Sequence, residues 1–262
     1  MRIVSLACSN TEIVHALGRA HDLVAVDDHS DHPHDVIRDL PRVGPELEVD
    51  IEAVAELTPD LVLASLTVPG HEEVVEGLER AGLPYLASEP VSLQDVFRDI
   101  RTIATVLEEE EQGRKVVEGM MEDLQEIMAC SGPLLPPFPS VLVQWWPKPV
   151  IAPGRQSWVQ DLFDLLGLGN PLGTERVKSR PLSHAEVARM APDAIVLSWC
   201  GVDPADYRPD VVYETPEWSD VPAIRNGEVH CVPEAYLGRP GPRLVEGALA
   251  LLQVKRSLEG TS

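Results

Sequence analysis

Asp27, Asp28, His29, Ser30, Asp31, His32, Pro33 and His34 bring three imidazoles and three carboxylates into one short segment, the densest run of metal-type side chains in the chain. Such groups hold a divalent cation when three or four of them converge on one point. A single loop would have to fold back tightly to do so, and no HExxH or second HxH run offers a partner. Solvated loop histidines are therefore the expected state. His29 is the one placed to meet a ligand, and no metal site is assigned.

Other reactive patterns are missing. The turn Ser5-Leu6-Ala7-Cys8-Ser9-Asn10-Thr11 lacks the GxGxxG that lets backbone approach a pyrophosphate, and neither a P-loop nor a GxSxG elbow is present. No catalytic residue follows, so the chain is expected to bind rather than to convert. Ser9 and Asn10 read as caps of the first helix. That helix should start at the carboxyl end of a strand, which gives both residues a second role as ligand contacts. Cys8, Cys130, Cys200 and Cys231 lie far apart without a CxxC, and four unpaired, mostly buried thiols are expected.

Aromatic residues are only 5% of the chain, yet Trp145, Trp146, Trp199, Trp218 and Tyr236 all fall in its second half, most of them at predicted strand ends or loops. Flat apolar side chains there suit a large planar ligand, with core packing as the alternative for each. Trp145 and Trp146 alternate in direction, so at most one of the two is expected at the ligand. Arg155 and Arg239 lie near predicted strand-to-helix turns, where a guanidinium can donate to amides or carboxylates. Ordinary surface arginine is the competing reading for both.

The elements that position these residues repeat. Val54-Ala55-Glu56-Leu57-Thr58-Pro59-Asp60-Leu61-Val62-Leu63-Ala64-Ser65 recurs as Val187-Ala188-Arg189-Met190-Ala191-Pro192-Asp193-Ala194-Ile195-Val196-Leu197-Ser198. Each copy reads as a helix end, a Pro-Asp turn and a strand covered on both faces. The fold class is thus α/β, with two related lobes and a ligand cleft between them: an N-terminal lobe over 1–90 and a C-terminal lobe over 131–262. Over 92–128 apolar residues recur at spacings of three and four, which predicts one long amphipathic helix bridging the lobes within 91–130.

Acidic residues outnumber basic ones 43 to 21, a net charge of -22 that repels nucleic acid and anionic membrane. No stretch approaches the ~20 apolar residues of a membrane helix. Arg2-Ile3-Val4-Ser5-Leu6 reads as a first strand with no signal peptide ahead of it, which leaves a trimmed exported form and a cytoplasmic protein both open.

Several stretches together resemble the cobalamin-binding substrate-binding proteins of ABC importers, in the helical-backbone metal-receptor group. They are Val4 to Gly18 (VSLACSNTEIVHALG), Asp28 to Pro33 (DHSDHP), Leu40 to Gly44 (LPRVG), Pro59 to Ala64 (PDLVLA) and Glu234 to Leu244 (EAYLGRPGPRL). The resemblance implies two Rossmann-like lobes joined by a rigid helix, a monomer, a corrinoid held between the lobes and no chemical step. Ser9, Asn10, His29, Trp145, Trp146, Arg155, Trp199, Tyr236 and Arg239 are the ligand-binding candidates. It further implies an extracytoplasmic location and docking on the ABC transporter membrane subunits through one acid on each lobe, facing arginines of the partner. Glu72 matches the first-lobe position, and Asp203 or Asp206 is the second-lobe candidate. Family members commonly carry Trp after the PDLVLA strand and an aromatic residue where this chain has Ser65 and His29. Trp199, after the duplicated strand, is the expected substitute stacking surface. A siderophore, haem or metal-ion binder and a cytoplasmic cobamide-salvage protein are the rival readings.

Overall fold

Runs of apolar residues without polar alternation become parallel strands buried on both faces, and in the computed structural model, which describes residues 1–134 and 136–260, they build two separate sheets. Residues Met1–Pro90 and Gln94–Gly119 form one compact unit, and Val91–Leu93 with Met120–Ser262 form the other.

The first unit contains β1 (Ile3–Ser5), α1 (Cys8–Ala16), β2 (Leu23–Val26), α2 (His34–Ile37), α3 (Ile51–Glu56), β3 (Leu61–Ser65), α4 (His71–Arg80), β4 (Tyr85–Ser88) and most of α5 (Leu93–Val106). Its strands run parallel in the order β2-β1-β3-β4. Val4, Val62, Ala64, Val54 and Leu78 form the core beneath the sheet.

The next helix, α6 (Glu110–Cys130), contains the division between the units, after Gly119. Beyond it come β5 (Val141–Gln144), β6 (Trp146–Pro147), β7 (Val150–Pro153), α7 (Trp158–Leu166), β8 (Ser179–Leu182), α8 (His184–Met190), β9 (Ala194–Leu197), α9 (Asp210–Tyr213), α10 (Pro222–Arg225), β10 (Val229–Cys231), α11 (Glu234–Leu237) and α12 (Leu244–Gly260). A parallel sheet ordered β10-β9-β5 and a small antiparallel sheet ordered β6-β7-β8 result.

The duplicated segment has the same geometry in both units. Thr58 and Ala191, at equivalent positions, both turn the chain through a left-handed conformation with φ 45°. The aspartate that follows the proline then closes a two-way pair with the residue before the neighbouring strand. Asp60 accepts from the Arg2 N–H at 2.7 Å and donates its own N–H to the Arg2 carbonyl at 2.9 Å. Asp193 does the same with Ser140, at 2.8 and 2.7 Å. The aspartate therefore sets the register of β1 against β3 and of β5 against β9. Asp60→Ala and Asp193→Ala should each cost about 1 kcal/mol in urea unfolding; a loss at one site alone would contradict the equivalence.

The predicted single helix over 92–128 is two helices. The chain leaves α5 at Leu107, Glu108 takes φ 58°, and α6 begins at Glu110. A Cβ added to Gly113 would lie 2.4 Å from the Ala104 Cβ and 3.8 Å from the Ile100 carbonyl oxygen. Thirteen residues along a continuous helix would separate those points by about 20 Å. The chain thus folds back on itself, and Gly113 is needed for the close approach. Burial of Ile100, Ile103, Leu107, Val117 and Met120 continues across the corner, so the apolar spacing conceals it.

Asp99 on α5 has one carboxylate oxygen buried without a hydrogen-bond partner among the described residues, and burial pushes its pKa up to about 6 although Arg98 lies 3.6 Å away. A carboxyl whose folded pKa exceeds its unfolded value favours folding fully below the unfolded value, and that contribution disappears as pH rises through about 6. Asp99→Asn should therefore stabilise the protein by about 1–3 kcal/mol at alkaline pH and leave stability unchanged in acid, as read from urea midpoints.

Candidate functional site

Open parallel sheets present ligands to the loops that follow the carboxyl ends of their strands. In the first unit the loop after β1 enters α1 directly. Ala7 is the N-cap, with extended backbone and no side-chain cap. Ser9 and Asn10 are thus not the expected caps but buried residues of the first turn, and the Asn10 amide donates to the Ala64 carbonyl at 3.0 Å, fastening α1 to β3.

The loop after β2 carries the histidine-rich segment. His29 is exposed, the His32 ring meets His15 edge to face at 5.7 Å, and His34 is exposed beside Asp35. Among the described residues no group of three His, Cys, Asp or Glu is arranged to hold a metal ion. Beneath this loop Asp27 is almost wholly buried, and that burial raises its carboxyl above the usual carboxylate range.

After β3, Ser65 is buried with its Oγ 2.9 Å from the Thr67 Oγ1. Glu72 stands exposed in the first turn of α4, where its carboxylate accepts the Gly70 N–H at 3.0 Å. His71, which sequence reasoning passed over, is 2% exposed. Its Nδ1 accepts the Val68 N–H at 3.2 Å and its Nε2 lies 3.2 Å from a Glu46 oxygen.

In the second unit the tryptophans separate by burial. Trp199 is 4% exposed and donates its indole N–H to Gln144 at 2.9 Å, while Trp218 is 2% exposed and donates to the His184 carbonyl. Both belong to the core cluster, so Trp199 does not offer the expected stacking surface. Trp146 is exposed on β6. Trp145 is half-buried against Trp158, ring centroids 5.9 Å apart, and its indole N–H is buried without an acceptor among the described residues. Trp158, another residue missed from sequence, donates to the Leu237 carbonyl at 2.7 Å and so fixes α7 against α11.

Tyr236 is half-buried on α11 with the Arg243 guanidinium 5.8 Å from its ring centre. Arg239 is not an open donor. It is 8% exposed and paired with Glu234 at 2.8 Å. Arg155 is exposed, just ahead of α7. Asp203 and Asp206 are exposed in the loop after β9. Tyr207 holds that loop: its hydroxyl donates to the Trp199 carbonyl at 3.2 Å and accepts the Glu234 N–H at 3.1 Å, and burial pushes the phenol pKa up. A separate cavity lined by Phe138, Asp193, Glu228 and Lys255 lies near the amino ends of β9 and β10, away from these loops.

None of the four cysteines forms a disulfide. Contrary to expectation they are not mostly buried, since Cys130 and Cys231 are exposed and Cys8 and Cys200 half-buried. No helix of the described residues is long and apolar enough to cross a membrane.

The family model described as periplasmic binding protein matches residues 3–236. An uncharacterized ABC transporter substrate-binding lipoprotein, YvrC of Bacillus subtilis, is 27% identical over 256 residues, covering 96% of this chain and 79% of its own length. A vitamin B12-binding protein of Vibrio cholerae serotype O1 is 26% identical over 249 residues, 94% of this chain and 85% of its own. Among solved structures, the periplasmic heme-binding protein RhuT from Roseiflexus sp. RS-1 superimposes with a TM-score of 0.83 at 24% identity, over 98% of both chains. That likeness concerns the fold.

Proposed function

The chain belongs to the periplasmic binding protein family, and we propose that it binds a corrinoid, cobalamin above all, as a monomer outside the cytoplasm and delivers it to the membrane subunits of an ABC importer. The observation that carries this reading is the alignment of a vitamin B12-binding protein across 94% of the chain.

Charge supports the same choice. With a net charge of -22, the protein repels the carboxylates of haem and the acidic groups of ferric siderophores, whereas a corrinoid is edged with neutral amides around a cobalt cation. Trp146, Tyr236 and the half-buried Trp145 supply flat surface, and exposed Arg155 can donate to ligand amides. Ser9, Asn10, Trp199 and Arg239 serve as the supporting layer that fixes these loops, not as direct contacts. Glu72, with Asp203 or Asp206, is the docking pair. Catalysis has no part in this reading.

Calorimetry of the full chain with cyanocobalamin should give one site with Kd on the order of micromolar or tighter. Hemin binding without cyanocobalamin binding would replace the corrinoid with haem, and binding of neither would sink the proposal.

A further inference from the structure

The four residues Asp27 to Ser30 are held from beneath by a network that engages the side chains of Asp27 and Ser30 and leaves those of Asp28 and His29 exposed. The Asp27 carboxylate accepts the His29 N–H at 3.0 Å and the Ser30 hydroxyl. The Ser30 hydroxyl lies 2.8 Å from that of Thr11, which donates to Ser5 at 2.8 Å. The Arg42 guanidinium donates to the carbonyls of Asp27 and Ser30 at 2.8 and 2.7 Å. Asp27, Ser30, Thr11 and Ser5 are each at most 3% exposed. A charged group so deeply buried is costly unless its hydrogen bonds are made, and here they are spent on the shape of a single turn.

At the top of that turn stands the His29 imidazole, exposed, with no hydrogen bond or ion pair from its ring nitrogens to the described residues. Backbone on both sides of it is fixed, so little conformational entropy remains to be lost when a ligand meets it. It follows β2 at the carboxyl edge of the first sheet, where open parallel sheets present their ligands. An imidazole nitrogen is a good ligand for both cobalt and iron.

We infer that His29 donates an axial nitrogen to the metal at the centre of a planar tetrapyrrole. This rests on the tetrapyrrole-binding reading above. The step is a ligand exchange: the imidazole lone pair forms a bond to the metal, a bound water leaves as neutral water, and no electron is transferred. It requires an exchangeable axial position. A corrinoid lacking its own nitrogen base has one, and so does haem. Cyanocobalamin, with cyanide on one face and its base on the other, does not.

The full chain and His29→Ala are titrated separately with aquacobinamide, hemin and cyanocobalamin, followed by visible absorption and calorimetry. Bound aquacobinamide should acquire the spectrum that free imidazole produces. His29→Ala should bind it about 10- to 100-fold more weakly with a water-ligated spectrum that added imidazole converts, and should lose less affinity for cyanocobalamin than for aquacobinamide. The same pattern with hemin alone would assign the iron form and support axial ligation equally. Ligand bound with identical spectra in both proteins would overturn the inference and leave the binding reading standing. Failure of all three ligands to bind would remove that reading and the inference with it.

Discussion

Lys255→Ala is expected to lower the unfolding free energy by about 3–5 kcal/mol, and Lys255→Met by about half as much. The residue is 4% exposed on α12, and its ammonium donates to the Ser131 carbonyl at 2.7 Å and the Leu166 carbonyl at 2.9 Å. Leu166 ends α7 and Ser131 immediately follows α6, so one cation answers the negative ends of two helices. Glu259, one turn further along α12, lies 3.8 Å from the same nitrogen and adds a weaker charge contact. Removing the side chain leaves two carbonyls without their charged donor and opens space where the aliphatic stem had packed. Met restores the stem alone, so the loss that remains in the Met variant isolates the charge and the difference between the variants isolates the stem. At roughly 2–4 °C per kcal/mol for a domain of this size, Lys255→Ala should melt about 10 °C early. A Met variant within about 0.5 kcal/mol of the parent in urea unfolding would mean that packing, not the cation, holds these helix ends.

Where local chemistry decides structure, the sequence was a sufficient guide. Trp158–Leu166 is bounded by signals that its sequence carries: Ser157 caps it by accepting the Val159 N–H, and Gly167 ends it at φ 69°. The buried strands β3 and β9 were legible as uninterrupted apolar runs. The corner between α5 and α6 was not, because it contains neither Gly nor Pro and the apolar spacing runs straight through it. The β6-β7-β8 sheet was hidden by its prolines, Pro147, Pro153 and Pro181, which ordinarily argue against a strand. Around the candidate site the failure has one physical cause. Residue type indicates what a side chain can contact, but packing decides what remains within reach. Trp199 and Trp146 are chemically identical, yet one completes the second unit's core and the other is exposed. Arg239 likewise has a guanidinium suited to a ligand amide, already engaged by Glu234. Burial of this kind is set by residues distant in sequence, so no local pattern announces it.

Glu72→Arg is expected to leave cyanocobalamin affinity within about twofold and to reduce importer-dependent uptake by at least 100-fold. Glu72 is an exposed acid in the first turn of α4, on the loop edge where the ligand is proposed to sit. Docking there needs a partner surface bearing arginine. Reversing the charge both removes one attraction and sets like charges against each other, a change worth several kcal/mol when the groups lose their water. The fold should tolerate it. Loss of the bond from Gly70 and of an acid near the helix amino end costs about 1 kcal/mol. Glu73→Arg is the control, since Glu73 occupies the same helical turn, is also exposed and makes the same change in net charge. If general electrostatic steering were responsible, the two variants would lose uptake equally and added salt would erase the difference from the parent. If Glu72 makes a specific contact, Glu73→Arg should retain most of the uptake. Asp203→Arg and Asp206→Arg, tested in the same assay, then assign the second contact: only the residue facing the partner should reproduce the Glu72 loss, because both stand exposed in one short loop and differ little in their effect on overall charge.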